Sequence, residues 1–206
     1  TRPVLVALAF ALFLIGFGIK LGMWPFGQVW LPDAHPAAPS PVSALMSGVM
    51  LKTAIYGMLR VIFDLLHLQL WWWGGVLLAL GLATALFGVV FAAVQVDMKR
   101  LLAYSSISHS GYMLVGVIAG TAEGIDAVFF YLVTYGVATV AVFGVLSGLQ
   151  RHGREVETLD DLSGLWKRHP GMAFVLALSA FSMLGLPPLL GFWGKLDIVI
   201  AGISAG

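Results

Sequence analysis

The feature that most constrains this sequence is a succession of apolar stretches, each long enough to cross a lipid bilayer. A membrane-spanning helix needs about 20 mostly apolar residues. Six stretches meet that requirement, at residues 3–24, 41–63, 70–95, 101–119, 125–149 and 171–205. Only 10% of the residues are charged, against about 25% in soluble domains. The sequence therefore predicts an all-α integral membrane protein, a polytopic helix bundle in which residues 1–206 form a single membrane domain.

Two of the six spans are interrupted by prolines. The first runs into MWPFGQVWLPDAHPAAPSP, and the sixth contains LGLPPLLGFWGK. Proline removes an amide donor and obstructs the preceding helical turn, so we expect helix breaks near Pro25–Pro32 and Pro187–Pro188. A break inside a membrane is tolerated where protein or internal water satisfies the freed backbone groups. Such breaks are either plain proline kinks or, as in inverted-repeat transporters, markers of an ion path.

Basic residues in the linkers predict how the bundle lies in the membrane. The linkers after the first, third and fifth spans share one side, and they carry Lys99, Arg100, Arg151, Arg154, Lys167 and Arg168. The opposite side carries far fewer lysines and arginines, and cytoplasmic loops are enriched in these residues. The longest polar stretch, residues 150–169, is therefore predicted to be a cytoplasmic linker.

Composition excludes several classes of function. The chain has no cysteine, so it offers no disulfide framework, thiol nucleophile or cysteine-ligated cluster. Its net charge of +1, without a long basic run, gives no indication of a nucleic-acid partner. We predict no cofactor and no metal site. The sequence starts at Thr1 and its last apolar run stops abruptly, so we expect a fragment of a longer chain.

One lysine lies in the middle of an apolar span. Lys52 is near the centre of SALMSGVMLKTAIYGMLRVIF, with roughly 16 Å of helix on either side. Its side chain reaches only about 6 Å, too short to place the ammonium group in water. A charge at the centre of a membrane helix costs about 2.5–3.5 kcal/mol. Lys52 is therefore either a proton-binding site in a polar interior or one half of a packing ion pair.

Two other lysines lie close to the predicted breaks. Lys20 precedes the first break, and its position four residues before Trp24 also allows the side chain to snorkel to the membrane surface. Lys195 follows the second break. Asp197 is two residues further on and points in a different direction on a helix. Lys195 is therefore the better site candidate, without Asp197 as a direct partner.

A histidine surrounded by hydroxyl groups lies between these lysines in the sequence. In AYSSISHSGYMLVG, His109 shares a helix face with Ser105 at i−4 and Tyr112 at i+3. Histidine accepts on one nitrogen and donates from the other, which suits it to passing protons. A buried packing histidine is the alternative. Tyr56, four residues after Lys52, extends a polar stripe along the second span.

Three motifs together resemble a known family. KLGMWPFGQVWLPDAHPAAPSPVSALMSGVMLKTAIYGMLR, DMKRLLAYSSISHSGYMLVG and GLPPLLGFWGK are similar to the proton-translocating, antiporter-like membrane subunits. These occur in respiratory complex I, in energy-converting hydrogenases and in multi-subunit sodium/proton antiporters. The second half is most similar to the subunit N group. The resemblance implies inverted repeats with broken helices seven and twelve, of which this chain would cover helices seven to twelve, in the bacterial inner membrane.

The resemblance also implies a role for each buried cation. Lys20 matches a helix-seven lysine that pairs with a glutamate on helix five, a helix not covered by this chain. Lys52 matches the central helix-eight lysine, His109 a relay histidine on helix ten, and Lys195 the terminal helix-twelve lysine. On helix eleven, where many members carry histidine and lysine, this chain offers only Tyr135 and Thr139. Gly27 replaces a histidine that is usual after the PF dipeptide.

These observations favour a non-catalytic proton-channel subunit of a redox-driven translocase, an NADH:quinone oxidoreductase or a related hydrogenase. Such a subunit passes protons along buried lysine and histidine residues, and its partners are other membrane subunits, the lipid bilayer and protons. A subunit of a multi-subunit cation/proton antiporter is the alternative. A purely structural scaffold is the third interpretation, but three lysines within the membrane would cost it roughly 8–10 kcal/mol.

Overall fold

The computed structural model describes residues 3–66, 72–151 and 154–205. Its α-helices are α1 Pro3–Leu21, α2 Trp30–Ala37, α3 Ser40–Leu45, α4 Leu51–Leu59, α5 Trp72–Ala93, α6 Met98–Ala119, α7 Ala122–Gly148, α8 Leu165–Arg168, α9 Pro170–Leu184 and α10 Leu190–Ser204. The start of the predicted third span and part of the predicted 150–169 linker lie outside the described residues. The prediction of an all-α membrane bundle is confirmed.

Among the described residues, five helices are long and apolar enough to cross a membrane. They are Val4–Leu21, Ser40–Leu65, Trp73–Ala93, Met98–Ala119 and Ala122–Gly148. The Ser40–Leu65 helix contains α3 and α4, which are joined and extended by π-helical segments at Met46–Met50 and Arg60–Leu65. The predicted sixth span is divided into two shorter helices, α9 and α10.

The first break lies between α1 and α2. The backbone amide of Trp24 donates to Oγ1 of Thr84 at 3.1 Å, and Nε1 of Trp30 donates to the carbonyl of Ile19 at 2.6 Å. The freed backbone groups thus find partners on a neighbouring helix and across the break. Pro32 lies within the first turn of α2, where a missing amide donor costs nothing.

The second break lies between α9 and α10 and contains Pro187 and Pro188. α9 ends at Leu184 and is followed by Gly185, which has a φ of 90°, a left-handed conformation that glycine adopts without strain. The amide of Gly191 donates to Oγ of Ser182 at 3.3 Å and links the two half-helices. Both predicted breaks are therefore present.

Glycines allow the backbones of α5 and α6 to lie in direct contact. A Cβ added at Gly88 would lie 2.6 Å from the amide nitrogen of Ser108, and one at Gly111 would lie 2.5 Å from that of Ala85. Small residues permit such close approach of membrane helices. Because Ser108 and Gly111 face α5, the intervening His109 is turned toward α7.

The linker after α7 packs on the connection between α5 and α6. It contains a two-stranded hairpin, Gln150–Arg151 with Arg154–Glu155, and a 3₁₀ turn at Asp160–Leu162. The amide of Met98 donates to the carbonyl of Glu157, and the amide of Leu159 donates to that of Val96. The linkers after the third and fifth spans therefore meet at one end of the bundle. This agrees with the prediction that these basic linkers share one side. The side of the membrane that this end faces stays a prediction.

Candidate functional site

Lys52 points into the bundle from the middle of the Ser40–Leu65 helix. Its side chain is 8% exposed, and Nζ lies 4.0 Å from the centroid of the Tyr135 ring. A cation over an aromatic face is attracted by the electron-rich ring. Nζ has no hydrogen-bond partner among the described residues. The nearest stabilising group for this ammonium is therefore the face of Tyr135 on α7.

Tyr135 connects Lys52 to α6. Its ring lies 4.5 Å, centroid to centroid, from the imidazole of His109. Its hydroxyl lies 2.9 Å from Oγ of Ser106, which also hydrogen-bonds to Oγ of Ser47 on the Lys52 helix. The phenol is fully buried and is held by hydroxyl groups from two helices. Tyr135 thus bridges the lysine and the histidine.

His109 is at the centre of the arrangement and is 6% exposed. Its Nδ1 lies 2.6 Å from the hydroxyl of Tyr131, a hydrogen bond in which the donor depends on the tautomer. The Tyr112 ring lies 5.9 Å from the imidazole, centroid to centroid. The hydrogen bond to Tyr131 therefore fixes the orientation of the imidazole through Nδ1.

Lys195 extends from α10 back across the second break. Its Nζ donates to the carbonyl of Met183 at 2.8 Å and to that of Leu184 at 3.1 Å. Nζ also lies 5.2 Å from the centroid of the Tyr112 ring. Tyr112 therefore lies between Lys195 and His109.

These contacts form a single row of side chains across the helix bundle. Its members, in order, are Lys52, Tyr135, His109, Tyr112 and Lys195. The section from His109 to Lys195 lines a cavity of about 500 Å³, to which Ser105 also contributes. A cavity of this size with several polar groups has room for water, which occupies about 30 Å³ per molecule. The section from His109 to Lys195 therefore has space for water between its titratable side chains.

Two of the sequence-predicted residues lie apart from this row. Lys20 is exposed on the outside of α1 and makes no ion pair or hydrogen bond with any residue that the structure describes. Tyr56 is 47% exposed and packs against Phe129, with ring centroids 6.0 Å apart. It shares with Lys52 a groove between α4 and α7. Roles for Lys20 and Tyr56 in a proton pathway stay predictions.

Sequence reasoning missed Tyr131 and His35. Tyr131 is one helical turn before Tyr135, a spacing that could have indicated a shared face. His35 is fully buried, with its ring stacked on Phe143 at 5.5 Å. Neither ring nitrogen of His35 has a hydrogen-bond partner in the described part of the chain. A histidine between two prolines in a break is indistinguishable, in sequence, from an exposed loop residue.

A second polar cluster lies at the linker end of the bundle. Nζ of the buried Lys99 donates to Oε2 of Glu155 at 2.8 Å and to the carbonyl of Ala38 at 2.9 Å. Oγ of Ser40 donates to the same carboxylate oxygen at 2.9 Å. The hydrogen bond from Lys99 is the main cause that holds the pKa of Glu155 below its ordinary value. The cluster joins the linker, α6 and the start of the Lys52 helix.

Replacing Glu155 tests this cluster. Because the pKa of Glu155 is depressed in the folded protein, its stabilising effect is present above the ordinary carboxyl pKa and is lost as pH falls through the folded value. Glu155→Gln is expected to lower the free energy of unfolding at neutral pH by roughly 1 kcal/mol. The difference from wild type should disappear in acid, measured as the thermal midpoint of the full-length protein against pH. The exposed Glu157 supplies the control, Glu157→Gln, and an equal effect from it would contradict the assignment.

Known proteins are similar to this chain in sequence and in fold. A family model described as NADH:quinone oxidoreductase/Mrp antiporter, TM, matches residues 3–206. NADH-quinone oxidoreductase subunit N of Paramagnetospirillum magneticum is 40% identical over 193 residues, which are 94% of this chain and 39% of that protein. The chain thus spans about two fifths of the length of the curated relatives that it matches.

Solved structures give the same result. A chain of the Mrp complex from Dietzia sp. DQ12-45-1b superimposes with a TM-score of 0.89 at 33% identity, covering 97% of this chain and 37% of that one. A chain of respiratory complex I from Thermus thermophilus gives a TM-score of 0.82 at 36% identity, covering 97% of this chain and 43% of that one. The protein is a multi-pass protein of the bacterial inner membrane. By sequence and by fold, this chain belongs to the NADH:quinone oxidoreductase/Mrp antiporter membrane family.

Proposed function

We propose that this chain is part of a proton-translocating membrane subunit of an NADH:quinone oxidoreductase. The curated relatives named subunit N support this assignment. In this proposal the chain binds no redox centre, and its partners are other membrane subunits of a complex in which the redox reaction takes place. The linker 150–169 faces the cytoplasm.

The observation that carries the proposal is the row from Lys52 to Lys195. It places two ammonium groups, an imidazole and two phenols in successive contact inside an apolar bundle. A structural scaffold gains nothing from such groups, because each buried charge costs several kcal/mol of solvation free energy. A proton pathway requires them, because water alone does not fill an apolar bundle.

The geometry supports a relay in which charges at the two ends act on the centre. Lys52 and Lys195 lie at the two ends of the row, and one tyrosine ring separates each of them from His109. Like charges repel, so a proton that arrives at one lysine favours release of a proton from the opposite end of the row. His109 exchanges protons through Nε2 while Tyr131 keeps the ring oriented. To drive proton translocation, a redox reaction elsewhere in the complex then needs only to change the electrostatic field or the water content around one lysine.

A cation/proton antiporter is the second candidate, because the fold is also similar to that of a chain of the Mrp complex. The experiment uses inside-out vesicles that contain the full-length subunit in its complex, with a pH-sensitive dye inside. Under the leading proposal, NADH acidifies the vesicle interior without sodium. Proton movement that needs a sodium gradient and ignores NADH would instead support the antiporter.

A further inference from the structure

The C-terminal end of α9 is capped in two different ways. The last carbonyl groups of a helix lack intrahelical partners, and here four successive ones are satisfied. The amides of Gly185 and Leu186 bond to the carbonyls of Phe181 and Ser182. The next two carbonyls, those of Met183 and Leu184, receive the ammonium group of Lys195 from the other side of the break.

This second arrangement is chemically suited to a cation. An ammonium group has three donors and no acceptor, and carbonyl oxygens only accept. The C-terminal end of a helix also carries a partial negative charge that attracts cations. The carbonyl groups of Met183 and Leu184 therefore match the charged form of Lys195 in both hydrogen bonding and electrostatics.

Access to these carbonyls depends on the residue that follows α9. Gly185 has a φ of +90°, and a Cβ built on it would lie 3.2 Å from Cδ of Lys195 and 3.6 Å from Nζ. The lysine side chain thus passes over the bare Cα of Gly185 to reach the carbonyls. A residue with a Cβ would strain the backbone and would require Cδ of Lys195 to shift by a few tenths of an ångström.

We propose that the carbonyl groups of Met183 and Leu184 form a docking site for the charged Lys195 side chain, and that Gly185 is the positioning residue that keeps this site open. The docked position lies beside Tyr112, which leads to His109. Lys195 therefore holds its proton at the end of the row and must leave the carbonyls to release it. The role of the docked Lys195 in proton translocation rests on the proposed function, whereas the existence of the docking site does not.

The test separates displacement of Lys195 from simple backbone strain. Asparagine adopts a positive φ far more readily than alanine does, but both residues add a Cβ. In the full-length protein within its complex, Gly185→Asn and Gly185→Ala are both expected to lose most of the NADH-driven proton translocation. If backbone strain were the only effect, Gly185→Asn would retain normal translocation, and that result would overturn the proposal.

A matched control is available in the linker. Gly164 also has a positive φ, +74°, but a Cβ added there meets no atom within 4 Å. Gly164→Ala therefore imposes comparable backbone strain without a steric clash. We expect it to leave proton translocation unchanged.

A double-mutant cycle tests the docking site without reference to pumping. Adding Gly185→Asn to Lys195→Ala is expected to lower the thermal midpoint less than Gly185→Asn does alone, because the displaced side chain is gone. If the shifts in thermal midpoint from the two substitutions are simply additive, the docking site is wrong.

A second outcome is possible if Gly185→Asn prevents assembly of the complex. Restoration of assembly by adding Lys195→Ala would then support the proposal, and continued failure to assemble would overturn it. Normal pumping by Lys195→Ala would count against the proposed role of Lys195 in translocation, while the thermal cycle still decides the docking site.

Discussion

Lys52→Ala is expected to abolish most proton translocation by the full-length protein in its assembled complex. Lys52 lies at one end of the row, and its only described stabilising contact is the face of Tyr135. Without it, the ring of Tyr135 loses the amine that faces it from α4. We expect NADH-driven acidification of vesicles to fall by about tenfold or more, a modest loss for a positioned proton-transfer group.

Assembly should survive this change. Removing an unpaired buried charge also removes its cost of desolvation, so the fold need not be destabilised. Lys52→Arg should fail to restore translocation, because guanidinium remains protonated and cannot release its proton. The adjacent Thr53 is exposed and bonds only to the carbonyl of Met50 among the described residues, so Thr53→Ala serves as the control. If Lys52→Ala and Lys52→Arg both assemble and pump at the wild-type rate, Lys52 is a packing residue and the relay is wrong.

His109→Gln is expected to have a comparable effect. Glutamine can keep a hydrogen bond to the hydroxyl of Tyr131, since its amide both donates and accepts. It cannot gain and lose a proton near neutral pH, which histidine can. We therefore expect normal assembly with a loss of most NADH-driven proton translocation, measured in the same vesicles.

The control for His109 is a neighbour in the same helix. Ser110 is fully buried and donates to the carbonyl of Ser106, but it lies outside the row. Ser110→Ala should keep most of its translocation. Wild-type translocation by His109→Gln would show that protons bypass the imidazole, and the centre of the pathway would then have to be placed elsewhere.

The sequence alone was sufficient to predict the class of fold and the breaks. Apolar stretches of membrane length and two groups of prolines specify helices and interruptions through local chemistry. Lys52 could be identified as a buried charge for the same reason, because its distance from both helix ends follows from its position in the span. The family was also recognisable, since its three motifs are contiguous stretches of sequence.

Residues brought together across helices were only partly predictable. The sequence placed Tyr112 on the same helix face as His109 and drew attention to Tyr135, but nothing in it indicated that these rings separate Lys52, His109 and Lys195. Tyr131 was missed because its partner, Nδ1 of His109, lies on a different helix. Such contacts depend on the rotation of α6 against α7.

What the sequence by itself determined is therefore the position and apolar character of the membrane segments, because these depend on the transfer of each segment from water to lipid. What only the tertiary structure decided is which polar groups meet inside the bundle. The glycine contacts at Gly88 and Gly111 turn His109 toward α7, and the break at Gly185 brings Lys195 back onto α9. Both outcomes depend on how closely two backbones approach, a property of the packed helices rather than of either segment alone.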